Sequence, residues 1–318
     1  SSVATFISGE DSTAVLTGLT LTNGYTTITG GGGIRIENSS PRLKNLKILN
    51  SVANVGGGGI SCEACDSRIT DVVIANNSVT GIGGGMRMFN GSNPELLGVT
   101  VSNNTSTLNG GGIAYEGLPA STIEQRLHRV TVSGNRSSEG VGGGIYLYSS
   151  IATVTRSFIQ DNAASLKGGG LSIEWASELT LENSFVSGNA LTNGVQGSNV
   201  YIGKSDQLIG SNEKLIAMNS NLIDTVALSD ENLFSMYTNG LVKPLLINSI
   251  AIGRLDAAIP TSNFDLNYSY CNDCSNLLTF AANNGNITGS AGFVDFDKGN
   301  FDLADNSLLL SAATVSFT

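Results

Sequence analysis

The chain has 318 residues, carries a formal charge of −10, and is 40% hydrophobic but only 13% charged. That balance is too apolar for a disordered chain, and its negative sign argues against nucleic acid as a partner. Forty glycines, with abundant Asn, Ser and Thr and little Glu, Lys or Gln, favour strands and turns over helices.

No stretch is apolar over the length a membrane helix needs, so no membrane insertion of this segment is expected. The charge suits a secreted or surface protein. The first residues, Ser1 to Phe6, already follow the pattern described next, which suggests a segment cut from a longer chain.

Glycine triplets ending at Gly33, Gly59, Gly85, Gly112, Gly144 and Gly170 are each followed by an apolar residue, any residue, then another apolar residue. A worn copy stands at Gly197-Ser198-Asn199-Val200-Tyr201-Ile202. The triplets recur every 26 or 27 residues, with one step of 32 between Gly112 and Gly144. A second track, Gly24, Ser51, Asn77, Asn104, Asn135, Asn162 and Asn189, keeps that spacing and absorbs the same insertion. A fixed period in this range marks a repeat architecture.

Three aliphatic or small columns run ahead of the second track. Leu16, Leu43, Ile69, Leu96, Leu127, Val154 and Leu181 form one; Leu19, Leu46, Val72, Val99, Val130, Ser157 and Ser184 form the next. Leu21, Ile48, Ile74, Val101, Val132, Ile159 and Val186 form the third. Apolar and polar residues alternate within each stretch, which is the strand period. The fold class that follows is all-β. It is a right-handed single-stranded parallel β-helix with three strands per coil and about 26–27 residues per coil. In it the glycines permit positive φ and close backbone approach. The Asn track is expected to stack as a ladder of amides at a tight turn, with Asn itself in the left-handed region.

Residues 1–203 read as regular coils and 204–260 as coils with insertions, placed at 203–214 and 224–243. Residues 261–318 read as a last coil and a capping segment of the same continuous domain. The stretches Met218 to Ile223, Ile247 to Ile252 and Leu266 to Tyr270 look like further third strands.

Val132-Ser133-Gly134-Asn135 followed by Gly142-Gly143-Gly144-Ile145 resembles the repeats of bacterial surface β-helix proteins. It is similar in style to those of polymorphic outer-membrane proteins of the autotransporter group. Gly285-Asn286-Ile287, Gly292-Phe293-Val294-Asp295 and Gly299-Asn300-Phe301-Asp302-Leu303 look like the closing segment of secreted bacterial β-helix proteins. The resemblance implies a bacterial secreted or cell-surface location and a pectate-lyase-like superfold. That superfold hosts lyases, hydrolases, adhesins and tailspikes, so it does not fix an activity.

The cysteines form two C-x-x-C pairs, Cys62/Cys65 and Cys271/Cys274. Two local disulfides are expected, since a joint zinc site would need the pairs to meet and a redox motif would need a strand–helix junction. For chemistry, there is no Asp-Asp pair and no Gly-His-Gly.

Two outward patches stand out. On the glycine strand, Arg35, Glu37, Arg87, Phe89, Glu116, Tyr146, Tyr148, Glu174 and Tyr201 form a stripe with Trp175 beside it. Aromatic rings flanked by polar groups suit a sugar face; cross-strand pairing on an ordinary solvated sheet is the plainer account. The second patch is Arg126, His128, Arg129 and Arg156, a basic spot that suits an acidic sugar with His128 as base. Asp295, Asp297, Asn300 and Asp302 offer oxygen ligands for Ca2+ without an EF-hand pattern.

No convergent catalytic set is legible. The chain therefore reads as a surface or secreted module that binds a glycan or a cell-surface protein, in adhesion. The alternatives are a polysaccharide lyase or glycoside hydrolase acting on an acidic polysaccharide, and a structural stalk or filament subunit.

Overall fold

The computed structural model describes residues 1–118, 123–203, 213–223, 234–238, 244–247, 249–257, 265–267, 270–273, 293–295 and 300–303. One coil illustrates the plan. Ile145–Tyr148, Ile151–Thr155 and Phe158–Gln160 are the three main strands. Their alternation puts Ile145, Leu147, Ala152, Val154 and Ile159 inside, all buried.

Each strand pairs in parallel with its counterpart one coil on. Ile113, Ile145 and Leu171 stand in register on the glycine sheet, and Leu127, Val154 and Leu181 on the second sheet. Among the described residues the second sheet holds ten strands, from Val15–Thr17 to Asp265–Asn267. The third sheet runs from Thr20–Thr22 to Tyr270–Asp273. Like residues stack into one continuous aliphatic core. Each fully buried aliphatic side chain contributes about 1.5–3 kcal/mol, and every coil depends on its neighbours.

A short fourth sheet accompanies the three expected ones. Seven two-residue strands, from Tyr25–Thr26 to Ala190–Leu191, follow the Ser/Asn track. Two residues are too few for an alternation to register in sequence.

The ladder of amides is present, with one correction to its backbone. The left-handed residue is the one before the ladder residue: Asn50, Asn76, Asn103, Gly134, Asp161 and Gly188 have φ between 51° and 64°. This frees the Asn side chain to point inward, where Asn135 Nδ2 donates to Asn162 Oδ1 at 2.9 Å and to the Val101 carbonyl at 2.9 Å. The last rung lies on the worn glycine copy. Asn189 Nδ2 donates to Asn199 Oδ1 at 2.9 Å, so the residue replacing the third glycine closes the ladder.

The glycine triplet divides its labour. Gly142 takes φ 66°, a region costly for side chains with a Cβ. A Cβ on Gly143 would lie 2.3 Å from the Ala163 carbonyl oxygen, and one on Gly144 would lie 2.6 Å from that of Gly170.

The coils continue past residue 203. Lys214–Met218 pairs with Glu178–Glu182, and Asn221–Ile223 with Phe185–Ser187. Phe234–Thr238, inside the stretch expected as the second insertion, is a glycine-sheet strand paired with Gln196–Ile202. It lacks a glycine triplet, so the sequence signal for that sheet is missing. Asp265–Asn267 belongs to the second sheet and the third-sheet strand follows at Tyr270–Asp273, later than the sequence pattern placed it. In the tail, Phe293–Asp295 pairs antiparallel with Asn300–Leu303.

Candidate functional site

The outward side of the glycine sheet carries two rows. The first row is Arg35, Ser61, Arg87, Ala114, Tyr146, Ser172 and Tyr201 in register. The second is Glu37, Glu63, Phe89, Glu116, Tyr148 and Glu174.

The first row is not the exposed surface that alternation alone suggests. The left-handed glycine opening each triplet folds back beside it, so a Cβ on Gly142 would touch Tyr146 at 2.9 Å. Tyr146 is therefore 5% exposed and packs with Ala114 and Val141, while Tyr201 is fully buried. Glu174, in the second row, is also buried and accepts a hydrogen bond from Ser172 Oγ at 3.0 Å. Burial pushes the Tyr146 phenol above its ordinary value, and the charges of Glu174 and Glu116 push the same way.

Several predicted residues satisfy one another. Arg35 pairs with Glu37, and Arg87 with Glu116. The Arg87 guanidinium also lies 4.3 Å from the centre of the Phe89 ring. Lys167 Nζ donates to the Tyr201 hydroxyl at 3.2 Å, and Tyr201 stacks on Tyr237 at 6.1 Å.

What remains half-buried is the pair Tyr148 and Trp175, with buried Tyr146 beside it. Tyr146 and Tyr148 have ring centres 6.4 Å apart, and Tyr148 and Trp175 5.4 Å apart at a 40° tilt. Trp175 stands, with φ 56°, at the corner where earlier coils place Asn38, Ala64, Asn90 and Ser149, all of them left-handed. Asn tolerates that region; a bulky residue there is an outlier. Glu116 and Glu174 flank Tyr148 on the neighbouring coils.

The second patch is brought together on adjoining coils. His128 is opposite Thr155, and its Nδ1 lies 2.7 Å from the Thr155 Oγ1. Arg126 pairs with Glu124 at 3.5 Å. Arg129 and Arg156 both occupy the left-handed corner between the second and third sheets, at φ 53° and 51°, and are exposed.

Cys62 and Cys65 are joined as a disulfide, buried in the core. Cys274 and Asp297, and the side chains of Cys271, Asp295, Asn300 and Asp302, lie outside the described residues. Among the described residues no three His, Cys, Asp or Glu side chains converge as a metal site.

The sequence expectations pass over one outward feature. A groove of about 280 Å³ on the second sheet is lined by Val15, Arg42, Leu43, Lys44, Arg68 and Thr70. Its signal is Arg42-Leu43-Lys44-Asn45-Leu46-Lys47, three cations at alternating or corner positions in an acidic chain.

A family profile described as the right handed beta helix region matches residues 6–221. No match was found among curated proteins or among solved structures.

Proposed function

The chain belongs to the right-handed beta helix family, and from that premise we propose that this β-helix module binds a glycan at the Tyr148–Trp175 pair, in a secreted or cell-surface adhesive role. The observation that carries the reading is Trp175. A tryptophan in the left-handed region is disfavoured by about 1–2 kcal/mol. The corner is left-handed at Asn38, Ala64, Asn90 and Ser149 too, so the fold imposes the strain, and what sets Trp175 apart is the ring it brings to 5.4 Å from Tyr148.

The ring pair presents apolar faces, and Glu116, part-exposed and held by Arg87, stands next to Tyr148 as an acceptor. Sugars need both, an apolar face to stack and hydroxyls to bond. The sheet beneath is rigid, which limits the ordering that binding must overcome.

The test is a glycan array followed by calorimetry on the hits, with Tyr148→Ala and Trp175→Ala beside the parent chain. Each variant is expected to weaken binding by about tenfold, from loss of about 1–1.5 kcal/mol of ring contact. Unchanged affinity in both variants, or no glycan bound by the parent chain, sinks the reading. Release of shortened or unsaturated products would replace it with the lyase or hydrolase alternative.

A further inference from the structure

We propose that the corner where the short sheet turns toward the glycine strands is a self-association surface, and that its partner is a second copy of this chain, parallel and related by a two-fold axis along the corner. The corner lies at the opposite end of the glycine strands from the Tyr148–Trp175 pair and is independent of the glycan reading.

Two columns of outward residues run along it. Tyr25 and Val52 pair at the start of the first column, and Arg136 and Ala163 pair further along it. The second column stands three residues later in each coil, at Ile28, Val55, Glu139 and Leu166. The backbone keeps its register across the corner, where the Glu139 N–H donates to the Thr107 carbonyl at 2.9 Å. Tyr25, Ile28, Val52, Val55 and Leu166 are all at least 36% exposed, and Ile28 reaches 85%. Single exposed aliphatics are ordinary on a surface, but a run of them along one edge with polar residues beside it marks an interaction site. The corner is also stiff. The Leu108 carbonyl, one coil before Glu139, accepts from Ser106 Oγ at 2.8 Å and from Ser137 Oγ at 2.6 Å. Contact therefore has little disorder to overcome.

Charge selects the partner. Arg136 and Glu139 are exposed on one coil, and neither joins an ion pair among the described residues. A two-fold axis along the corner exchanges the two columns and leaves each coil level with its copy. Arg136 of each copy then faces Glu139 of the other, so one patch supplies both halves of two equal pairs, as an isologous contact requires. The same rotation sets Ile28 against Tyr25, Val55 against Val52, and Leu166 against Ala163. An antiparallel two-fold through the Glu139 coil also joins the charges. It carries the first two coils beyond Ala190–Leu191, the last strand of the short sheet among the described residues, and leaves their apolar side chains without a counterpart. Seven strands stacked at about 4.8 Å make a stripe roughly 30 Å long. Two columns of that length cover less than the ~800 Å² per partner of a stable interface, so the dimer is weak and reversible.

Sedimentation equilibrium of the whole chain, from about 10 µM to about 1 mM, should show monomer–dimer exchange. Glu139→Arg and Arg136→Glu should each weaken the dimer about tenfold, and an equimolar mixture of the two variants should recover the parent affinity as a heterodimer. Ile28→Ser/Val55→Ser should also weaken it about tenfold, with the urea unfolding midpoint unchanged because both side chains are exposed. Thr27→Cys lies between the columns on the first coil and should give an intermolecular disulfide on mild oxidation, which the parent chain does not. Tyr148→Ala should leave association unchanged. A chain that stays monomeric throughout, a dimer that keeps its affinity in both charge-reversed variants, reversed variants that fail to associate when mixed, or absence of the Thr27→Cys cross-link overturns the proposal.

Discussion

The corner between the third and short sheets carries asparagine at every turn from Asn77 to Asn189. The corner between the second and third sheets instead runs Leu46, Val72, Val99 and Val130 before it changes to Ser157, Ser184, Ser220 and Ser249. Both columns point inward and both are buried. They differ in what each side chain can do there. Asn135 Oδ1 accepts from the Asn104 backbone N–H at 2.9 Å and from Asn104 Nδ2 at 3.0 Å. Its own Nδ2 donates to Val101 and Asn162, so four bonds run through one amide. Ser184 Oγ accepts from the Ser157 N–H at 3.2 Å and has a single proton, shared between the Glu182 and Val154 carbonyls. A hydrocarbon fills the serine corner in four coils, whereas none fills the asparagine corner between Asn77 and Asn189. The comparison teaches that a buried polar column is tightly specified where each member completes its neighbour's bonds.

The heaviest blow to the comparison is Asn135→Ala. It leaves the Asn104 amide, the Val101 carbonyl and Asn162 short of partners in the core. At about 1–3 kcal/mol for each unsatisfied group, with partial relaxation, the loss should be about 3–5 kcal/mol. Urea unfolding followed by circular dichroism measures it, and a loss under about 1 kcal/mol would show that the amides are not coupled. Asn135→Ser turns one rung of the asparagine corner into a serine. The hydroxyl is too short to reach both neighbours, so about 2 kcal/mol should go. Ser157→Val makes the serine corner resemble Val130 one coil earlier. Two bonds of the Ser157 hydroxyl disappear, from the Val130 N–H at 3.0 Å and to the Thr155 carbonyl at 2.8 Å; that carbonyl keeps the Arg129 N–H at 3.0 Å, so one group is left unpaired and the expected loss is about 1 kcal/mol. A Ser157→Val variant that unfolds as easily as Asn135→Ala would erase the distinction.

The two corners were also unequally legible in sequence. Asparagine at a fixed period is visible because nothing else does its work, and the glycine triplets are visible because each position forbids a Cβ for its own reason. Inward columns follow from alternation. The outward rows did not, because alternation says which way a side chain points and not what lies over it. Tyr146, Tyr201 and Glu174 point away from the core and are still buried, the two tyrosines beside the glycine turn that opens their own strand. The Phe234–Thr238 strand escaped notice because it has no glycine triplet to announce it. The Arg42 groove escaped because its lining comes from three coils, and a lone Arg-Leu-Lys reads as an ordinary solvated face until Arg68 and Val15 are brought beside it.

Tyr115 supplies a third case, a buried hydroxyl that belongs to neither corner. It points into the core, is 1% exposed, and its hydroxyl has no hydrogen-bond partner. If partnership is what makes the ladders stabilising, removing this group should have the opposite sign, and Tyr115→Phe should gain somewhat under 1 kcal/mol at neutral pH. Alkaline pH enlarges the difference. Burial raises the Tyr115 phenol above its ordinary value of 10.0. Below pH 10.0 both folded and unfolded chains keep the proton, so the group adds no pH dependence. Above it the unfolded chain releases the proton and the folded chain does not, and stability falls by about 1.4 kcal/mol per pH unit. Buried Tyr146 contributes a second slope of the same sign. Tyr115→Phe should therefore remove one of these slopes, and its advantage over the parent chain should widen by about 1 kcal/mol between pH 10 and 11, where the unfolded phenol goes from half to mostly ionised. A constant advantage across that interval would mean that the Tyr115 hydroxyl reaches solvent in the folded chain.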